Sequence, residues 1–226
     1  MSEAAVVARL LEVRRRVGAA AVRSGRDPES VTLVAVTKTV ALPLVREALL
    51  AGQRDFGENR AQELLGKAED LAACADGAPV WHFIGRLQRN KVRLLAPHVA
   101  RWHSIDRPEL AVLLARHAPG AAVYVEVNLA SEPQKGGCAP VDAPALVDSL
   151  RAAGLRVEGL MTVPPSGGDP RPYFAALRAL GERLGLAGLS MGMTGDFETA
   201  IEEGATVVRV GSAIFGPRPI AEDLRR

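Results

Sequence analysis

The sequence of 226 residues predicts a single-domain (β/α)8 TIM barrel with an extra N-terminal helix. Eight short β-rich runs alternate with helical stretches, and no composition break or low-complexity linker marks a second domain. Eight units favour closure over an open doubly wound sheet, because no Gly-x-Gly-x-x-Gly pattern follows the first strand. The domain is predicted to span 1–226, with the helix at about 3–24 and the barrel at about 31–218.

The N-terminal segment predicts an amphipathic helix. One face carries apolar residues at helical spacing, namely Val6, Leu10, Val13 and Val17. The arginine run 14–16 is expected to form a solvated face of this helix.

Residues 31–36 predict the first strand, since the run is apolar on both faces, as is typical of parallel strands covered on both sides. Further strands are predicted at 54–56, 80–84, 101–105, 122–127, 157–160, 189–191 and 206–210. Helices are predicted at 42–51, 59–73, 107–117, 142–153, 172–185 and 196–203. Asp106 and Thr194 are expected to cap the helices at 107 and 196.

Composition argues against several functional classes. The net charge of only +2 implies no strong attraction to nucleic acid or to a membrane surface. The two cysteines, Cys74 and Cys138, form neither a disulfide framework nor a thiolate metal site, and the four histidines show no helical metal-binding pair. The start of the chain has no signal-peptide core, and no run approaches a membrane span. We therefore expect a cytoplasmic protein without metal, nucleic-acid or membrane partners.

Lys38 is the first candidate functional residue. It follows the apolar strand 31–36, at the end of a barrel strand where functional residues gather. A lysine amine in a partly dry site loses its proton more easily, and the neutral amine attacks carbonyl carbons. Position alone favours a lysine that merely reaches solvent from the strand end.

Two glycine-bearing segments, 190–196 and 209–212, follow the last two predicted strands. Small residues let backbone N–H groups approach a phosphate, and barrel phosphate sites commonly follow strands 7 and 8. A single glycine in such a loop is more often explained by the backbone conformation of a turn. Two such loops opposite a buried lysine favour a phosphorylated carbonyl ligand.

Several motifs stand in order between about residues 31 and 218: Val36-Thr-Lys-Thr39, Phe56-Gly-Glu-Asn59, Trp81-His-Phe-Ile-Gly85, Glu158-Gly-Leu-Met161, Leu189-Ser-Met-Gly-Met193 and Arg209-Val-Gly-Ser-Ala-Ile-Phe-Gly216. Together they resemble the motifs of the YggS/PROSC pyridoxal-phosphate homeostasis proteins, which are relatives of the alanine racemase N-terminal domain.

The resemblance implies a binding site for pyridoxal 5′-phosphate (PLP), attached to Lys38 as a Schiff base, with Arg209 near the pyridine nitrogen. It also places further residues at the cofactor: Asn59, His82, Ser190, Gly192, Thr194, Gly211 and Ser212. Lys135 lies in a loop that resembles the family's Glu-x-x-Lys-x-Gly segment, and is expected to make a second contact with PLP. Thr194 stands where the family usually has serine, and Gly195 replaces a frequently acidic residue.

The resemblance also implies a role in intracellular PLP homeostasis, in which a monomer binds, buffers and delivers the cofactor to apo-enzymes. Related racemases add a β-rich domain that supplies a tyrosine base, whereas the tyrosines here are Tyr124 and Tyr173. Two alternatives stay open: a weak PLP-dependent amino-acid racemase or aldolase that uses Lys38, and a barrel aldolase without the cofactor. A Gly-x-Ser-x-Gly hydrolase at Ser190 is disfavoured, because every histidine precedes that serine.

Overall fold

Eight parallel strands form a closed barrel in which each strand pairs with the next and the last pairs with the first. The structure, a computed structural model, describes residues 3–72, 77–132 and 134–217. The strands are β1 (Thr32–Val36), β2 (Asp55–Glu58), β3 (Val80–Phe83), β4 (Val99–Ile105), β5 (Ala122–Glu126), β6 (Arg156–Met161), β7 (Gly188–Ser190) and β8 (Val207–Val210). The predicted barrel is confirmed; Cys74 lies outside the described residues.

Helices follow the strands around the outside of the barrel. They are α1 (Glu3–Arg23), α2 (Leu42–Leu50), α3 (Ala61–Leu71), α4 (Val92–Leu95), α5 (Glu109–His117), α6 (Ala143–Ala152), α7 (Arg171–Arg183), α8 (Phe197–Glu202) and α9 (Ser212–Phe215). Short 3₁₀ turns occupy Pro28–Ser30 and Arg89–Lys91. Helices α4 and α9 escaped the sequence prediction because a single helical turn carries no detectable periodicity.

Helix α1 precedes the barrel and packs against α2, α8 and α9. The predicted apolar face is buried. The arginine run is only partly the solvated face that was expected, since Arg14 donates to the Ala51 carbonyl and the Gln53 side chain at 3.1 Å each. Arg16 pairs with Glu198 at 2.8 Å. The helix is therefore fixed to the barrel by polar contacts as well as by apolar burial.

Two predicted helix caps are wrong. Helix α5 starts after Pro108 without a side-chain cap, and the Asp106 carboxylate instead accepts from Arg107 at 2.5 Å. Asp196 rather than Thr194 precedes α8, and it accepts from the Met193 N–H at 2.5 Å. In both places a nearby donor takes the oxygen that the sequence pattern assigned to a helix start.

The interior of the barrel combines apolar and polar side chains. Val34, Tyr124, Met161 and Val207 form a small buried cluster separate from the larger core between strands and helices. Buried polar side chains accompany it: His82, His103, Ser190 and Arg209. Buried polar groups need hydrogen-bond partners. The partners of these four side chains connect them to the candidate site.

None of the described helices is both long enough and apolar enough to cross a lipid bilayer.

Candidate functional site

Closure of the barrel brings Lys38 and Arg209 to neighbouring strands. Strand β1 pairs with β8, with Val34 opposite Arg209 and Ala35 opposite Val210. Lys38 follows the end of β1 and is half-buried, while Arg209 lies within β8 and is 4% exposed. Arg209 therefore lies below the carboxyl-end mouth, and Lys38 lies at that mouth.

A tight turn presents Lys38. The Val40 N–H donates to the Thr37 carbonyl at 2.9 Å, and Thr39 has a φ of 61°. A positive φ is costly for a β-branched residue and persists only where contacts impose it. One such contact is the bond from the Thr39 N–H to the Glu63 carboxylate at 2.6 Å. The backbone around Lys38 is thus held from α3.

A buried ion pair lies beneath this turn. Lys67 donates to the Glu58 carboxylate at 2.5 Å and to the Thr37 carbonyl at 2.6 Å, while the Thr37 hydroxyl donates to Glu58 at 2.7 Å. Burial raises the pKa of Glu58, and the bonds from Lys67 and Thr37 oppose that rise. The cluster connects β1, β2 and α3 directly behind Lys38.

Sequence reasoning missed Lys67, although a signal was present. Lys67 follows Leu64 by three residues and precedes Leu71 by four, and both leucines are fully buried. A lysine in the apolar stripe of an amphipathic helix predicts a buried charge that needs a partner.

Arg209 is fixed by two hydrogen bonds from its guanidinium group. It donates to the Ser190 hydroxyl at 2.6 Å and to the Thr162 carbonyl at 3.0 Å. Burial lowers the pKa of Arg209 to about 10, so the side chain stays cationic at neutral pH. A permanent positive charge therefore lies inside the barrel, below the mouth.

The two predicted glycine-bearing loops meet each other. Thr194, in the loop after β7, accepts from the Ser212 hydroxyl at 3.2 Å and from the Ala213 N–H at 3.4 Å after β8. A Cβ at Gly192 would lie 2.6 Å from the Ala200 Cβ, and a Cβ at Gly211 would lie 3.3 Å from the Val36 carbonyl oxygen. Hydroxyl and backbone groups of the two loops thus lie close together at the ends of β7 and β8.

The remaining predicted site residues lie in three different settings. Asn59 follows β2 at the mouth, and its Oδ1 is buried and has no hydrogen-bond partner among the described residues. His82 is fully buried in β3 and bonds Asp55 and His103, so it lies in the interior rather than at the mouth. Lys135 donates to Glu132 at 2.8 Å and to the Pro164 carbonyl at 3.1 Å.

Glu126 is a titratable residue at the mouth that sequence reasoning did not select. It ends β5, and its carboxylate would lie 3.1 Å from a Cβ at Gly136 in the loop that carries Lys135. Burial, with a contribution from Asp106, raises the pKa of Glu126 to about 7, although Arg209 and Arg86 oppose that rise. A carboxyl group that titrates near neutrality can exchange protons at this face.

Metal-ligating side chains do not gather in the described part of the chain, where no three His, Cys, Asp or Glu residues form a group that could hold an ion.

Comparison with known proteins identifies relatives over nearly the whole chain. The family model for the alanine racemase N-terminal domain matches residues 14–219. A protein from Pseudomonas aeruginosa named pyridoxal phosphate homeostasis protein is 45% identical over 219 residues, covering 92% of this chain and 94% of that protein. A protein of the same name from Aquifex aeolicus is 42% identical, covering 93% and 97%.

Solved structures show the same barrel. PipY from Synechococcus elongatus PCC7942, solved with PLP bound, is 34% identical with a TM-score of 0.80, and the match covers 93% of this chain and 100% of PipY. Alanine racemase from Corynebacterium glutamicum shares the fold at 16% identity and a TM-score of 0.72, covering 97% of this chain and 63% of the racemase.

We predict that Gly192→Ala destabilises the protein by about 2 kcal/mol or more. Gly192 has a φ of 92°, and an added Cβ would collide with Ala200 and Phe197. Gly195→Ala in the same loop is the matched control, because its Cβ would meet nothing within 4 Å. Urea denaturation should show a change of less than about 0.5 kcal/mol for the control. Equal stabilities of the two variants would contradict the strained geometry at Gly192.

We predict that Glu126→Gln changes how stability depends on pH. The pKa of Glu126 is raised from 4.5 to about 7 on folding, so the folded protein retains a proton that the unfolded chain loses. The free energy of unfolding therefore falls as pH rises through this window. Relative to wild type, the glutamine variant should gain on the order of 3 kcal/mol between pH 4 and pH 8. Denaturation curves across this range test it, and a constant difference would contradict it.

Proposed function

This chain belongs to the alanine racemase N-terminal domain family, together with the pyridoxal phosphate homeostasis proteins, and we propose that it binds PLP at the mouth of its barrel and acts in PLP homeostasis. The observation that carries the proposal is that Lys38 directly follows β1, which pairs with the strand of Arg209, while the two glycine-bearing loops follow β7 and β8. An amine, a fixed cation and polar loops with hydroxyl and backbone N–H groups are what a phosphorylated pyridine aldehyde needs.

The residues present fit this cofactor. Asn59 offers a buried oxygen that has no partner within the described parts of the chain and can accept a hydrogen bond from a bound molecule. Gly192 and Gly211 let the two loops pack closely against Ala200 and Val36, and the hydroxyls of Thr194 and Ser212 lie where these loops meet. These groups would hold the phosphate, while Arg209 would face the pyridine nitrogen.

Lys38 would provide the covalent attachment. Its neutral amine would be the nucleophile that holds the aldehyde group of the cofactor through a reversible bond. The contacts of Thr37 and Thr39 with Glu58, Glu63 and Lys67 hold the backbone of this lysine during both attachment and release. When bound, PLP supplies a conjugated ring that withdraws electrons from the attached nitrogen.

Arg209 supports a binding and carrier role over carbanion chemistry. Because the arginine stays cationic, it disfavours protonation of a pyridine nitrogen next to it, and the ring then withdraws electrons less strongly. Attachment through a reversible bond needs no such withdrawal. Delivery to apo-enzymes in the cytoplasm by a monomer is part of the same proposal, since attachment to an amine can be reversed by a competing amine.

A weak PLP-dependent racemase is the second candidate, and Glu126 is the observation that favours it. Burial raises the pKa of Tyr124 to about 12, and its ring stacks on His103 in the barrel interior, so it is unsuited to act as a base. Glu126 lies at the mouth with a pKa of about 7, which suits proton transfer. Measurable interconversion of alanine enantiomers that is lost in Glu126→Gln would favour this candidate.

We predict that Lys38→Ala abolishes the visible absorption of protein incubated with PLP, while the far-ultraviolet circular dichroism is retained. Borohydride reduction followed by intact-mass and peptide analysis should find one pyridoxyl group on Lys38 in wild type and none on the variant. Lys91→Ala is the control lysine, and it should retain the modification at Lys38. A pyridoxyl group on another lysine in wild-type protein would reassign the site.

We predict that the PLP-loaded protein activates a PLP-dependent apo-enzyme faster than an equal concentration of free PLP does. The expected advantage comes from direct exchange of one amine for another without release of free aldehyde. A dialysis membrane between the two proteins should remove the advantage. Equal rates with and without the membrane would leave binding and buffering but exclude delivery.

A further inference from the structure

A continuous line of hydrogen-bonded side chains crosses the barrel interior and ends at Arg209. The Asp55 carboxylate lies 2.9 Å from His82 Nε2, and His82 Nδ1 lies 2.8 Å from His103 Nε2. His103 Nδ1 lies 2.8 Å from the Ser190 hydroxyl, which accepts from Arg209 at 2.6 Å. His82, His103 and Ser190 are fully buried. We call these residues, from Asp55 to Arg209, the interior line.

The interior line connects the two ends of the barrel. Asp55 is the first residue of β2 and its side chain is 26% exposed, so it lies at the amino-end rim, away from Lys38. His82 and His103 belong to β3 and β4, and Ser190 and Arg209 belong to β7 and β8. The line therefore passes from one side of the barrel to the other through its centre, and its inner end lies next to the candidate cofactor.

The partners fix where the protons lie. Burial lowers the pKa of His82 and lowers that of His103 well below its ordinary value, so both rings are neutral. An ionised carboxylate only accepts, so His82 Nε2 donates to Asp55 and His82 Nδ1 accepts from His103 Nε2. His103 Nδ1 then carries no proton and accepts from the Ser190 hydroxyl. Every bond in the line points from Arg209 towards Asp55.

This direction has two consequences. The Ser190 hydroxyl donates its one proton to His103, and its oxygen accepts from Arg209. This hydroxyl therefore has no proton left to donate to a phosphate. Arg209 takes part in none of the salt bridges within the described residues, and its charge is stabilised through the line and the Thr162 carbonyl. The stack of His103 on Tyr124, with centroids 4.6 Å apart, keeps the middle of the line in place.

We propose that Asp55, His82, His103 and Ser190 are positioning residues that orient Arg209 towards the pyridine nitrogen of PLP and so set the electronic state of the bound cofactor. This inference rests on the proposed function and adds the residues that regulate the same site from the opposite end of the barrel. It also reassigns Ser190 from a direct contact with the cofactor to the residue that joins Arg209 to the histidines.

A pair of substitutions at His103 separates positioning from simple packing. The amide of Asn reaches the place of the ring Nδ1 and can keep the bond to Ser190, whereas the amide of Gln reaches the place of Nε2 and keeps only the bond to His82. Both variants fill similar space and both keep a polar group. We therefore expect His103→Asn to retain the wild-type absorption spectrum of bound PLP, and His103→Gln to shift its maximum and weaken PLP binding about tenfold.

Ser190→Ala provides a second variant that removes one oxygen and leaves the core otherwise filled. We expect the same spectral shift as in His103→Gln, and no further shift when the two changes are combined, since both break the same connection. Each protein is first tested for attachment of the pyridoxyl group at Lys38 after borohydride reduction. Failure of attachment in wild type would contradict the proposed function itself.

Attachment that persists with an identical spectrum and affinity in wild type, His103→Gln and Ser190→Ala would overturn the positioning role alone. A shift in His103→Asn as large as that in His103→Gln would also overturn it, because the bond to Ser190 would then not matter. If the His103 variants fail to fold, the spectrum of Ser190→Ala decides the question by the same criterion.

Discussion

The candidate site depends on closure of the barrel between its first and last strands. The pairing of Thr32–Ala35 with Val207–Val210 places residues from opposite ends of the chain side by side. Lys38 leaves β1 at the same mouth where Gly211 and Ser212 leave β8, and Arg209 lies directly below them. An open sheet with the same elements would separate the amine from the cation by the full width of the sheet. Closure is thus the condition that brings the lysine amine and the arginine cation together.

Closure also creates an interior in which polar groups are costly unless each has a partner. Two buried cations, Lys67 and Arg209, are stabilised in different ways. Behind Lys38, the Lys67–Glu58 pair is a direct salt bridge. Behind Arg209, the cation is connected to Asp55 only through neutral groups. A direct carboxylate would neutralise the arginine, whereas in the proposed positioning role the neutral line would hold its position and leave its charge available to the candidate site.

The sequence predicted the barrel and the position of Lys38 because both are local signals. An apolar run that ends in a lysine is visible at 31–38 without knowledge of any partner. The interior line was not predictable in the same way, because Asp55, His82 and His103 meet only through the register between β2, β3 and β4. The resemblance predicted His82 at the cofactor and gave no indication of its bonds to Asp55 and His103, which the structure shows. The caps at Asp106 and Thr194 failed for a similar reason, since a neighbouring donor competes for each oxygen.

The placement of charges around the mouth supports the proposed carrier role over a racemase. A racemase has to stabilise a carbanion, which needs a ring that withdraws electrons strongly and a base near the reacting carbon. In the proposed binding mode, Arg209 would work against the first requirement, and Tyr124, which is buried against His103, is poorly placed to meet the second. Glu126 is the candidate base at the mouth, because its carboxyl group titrates near neutrality under the influence of burial and of Asp106. A site that keeps its lysine fixed and its arginine charged is therefore better suited to hold and release an aldehyde than to transform an amino acid.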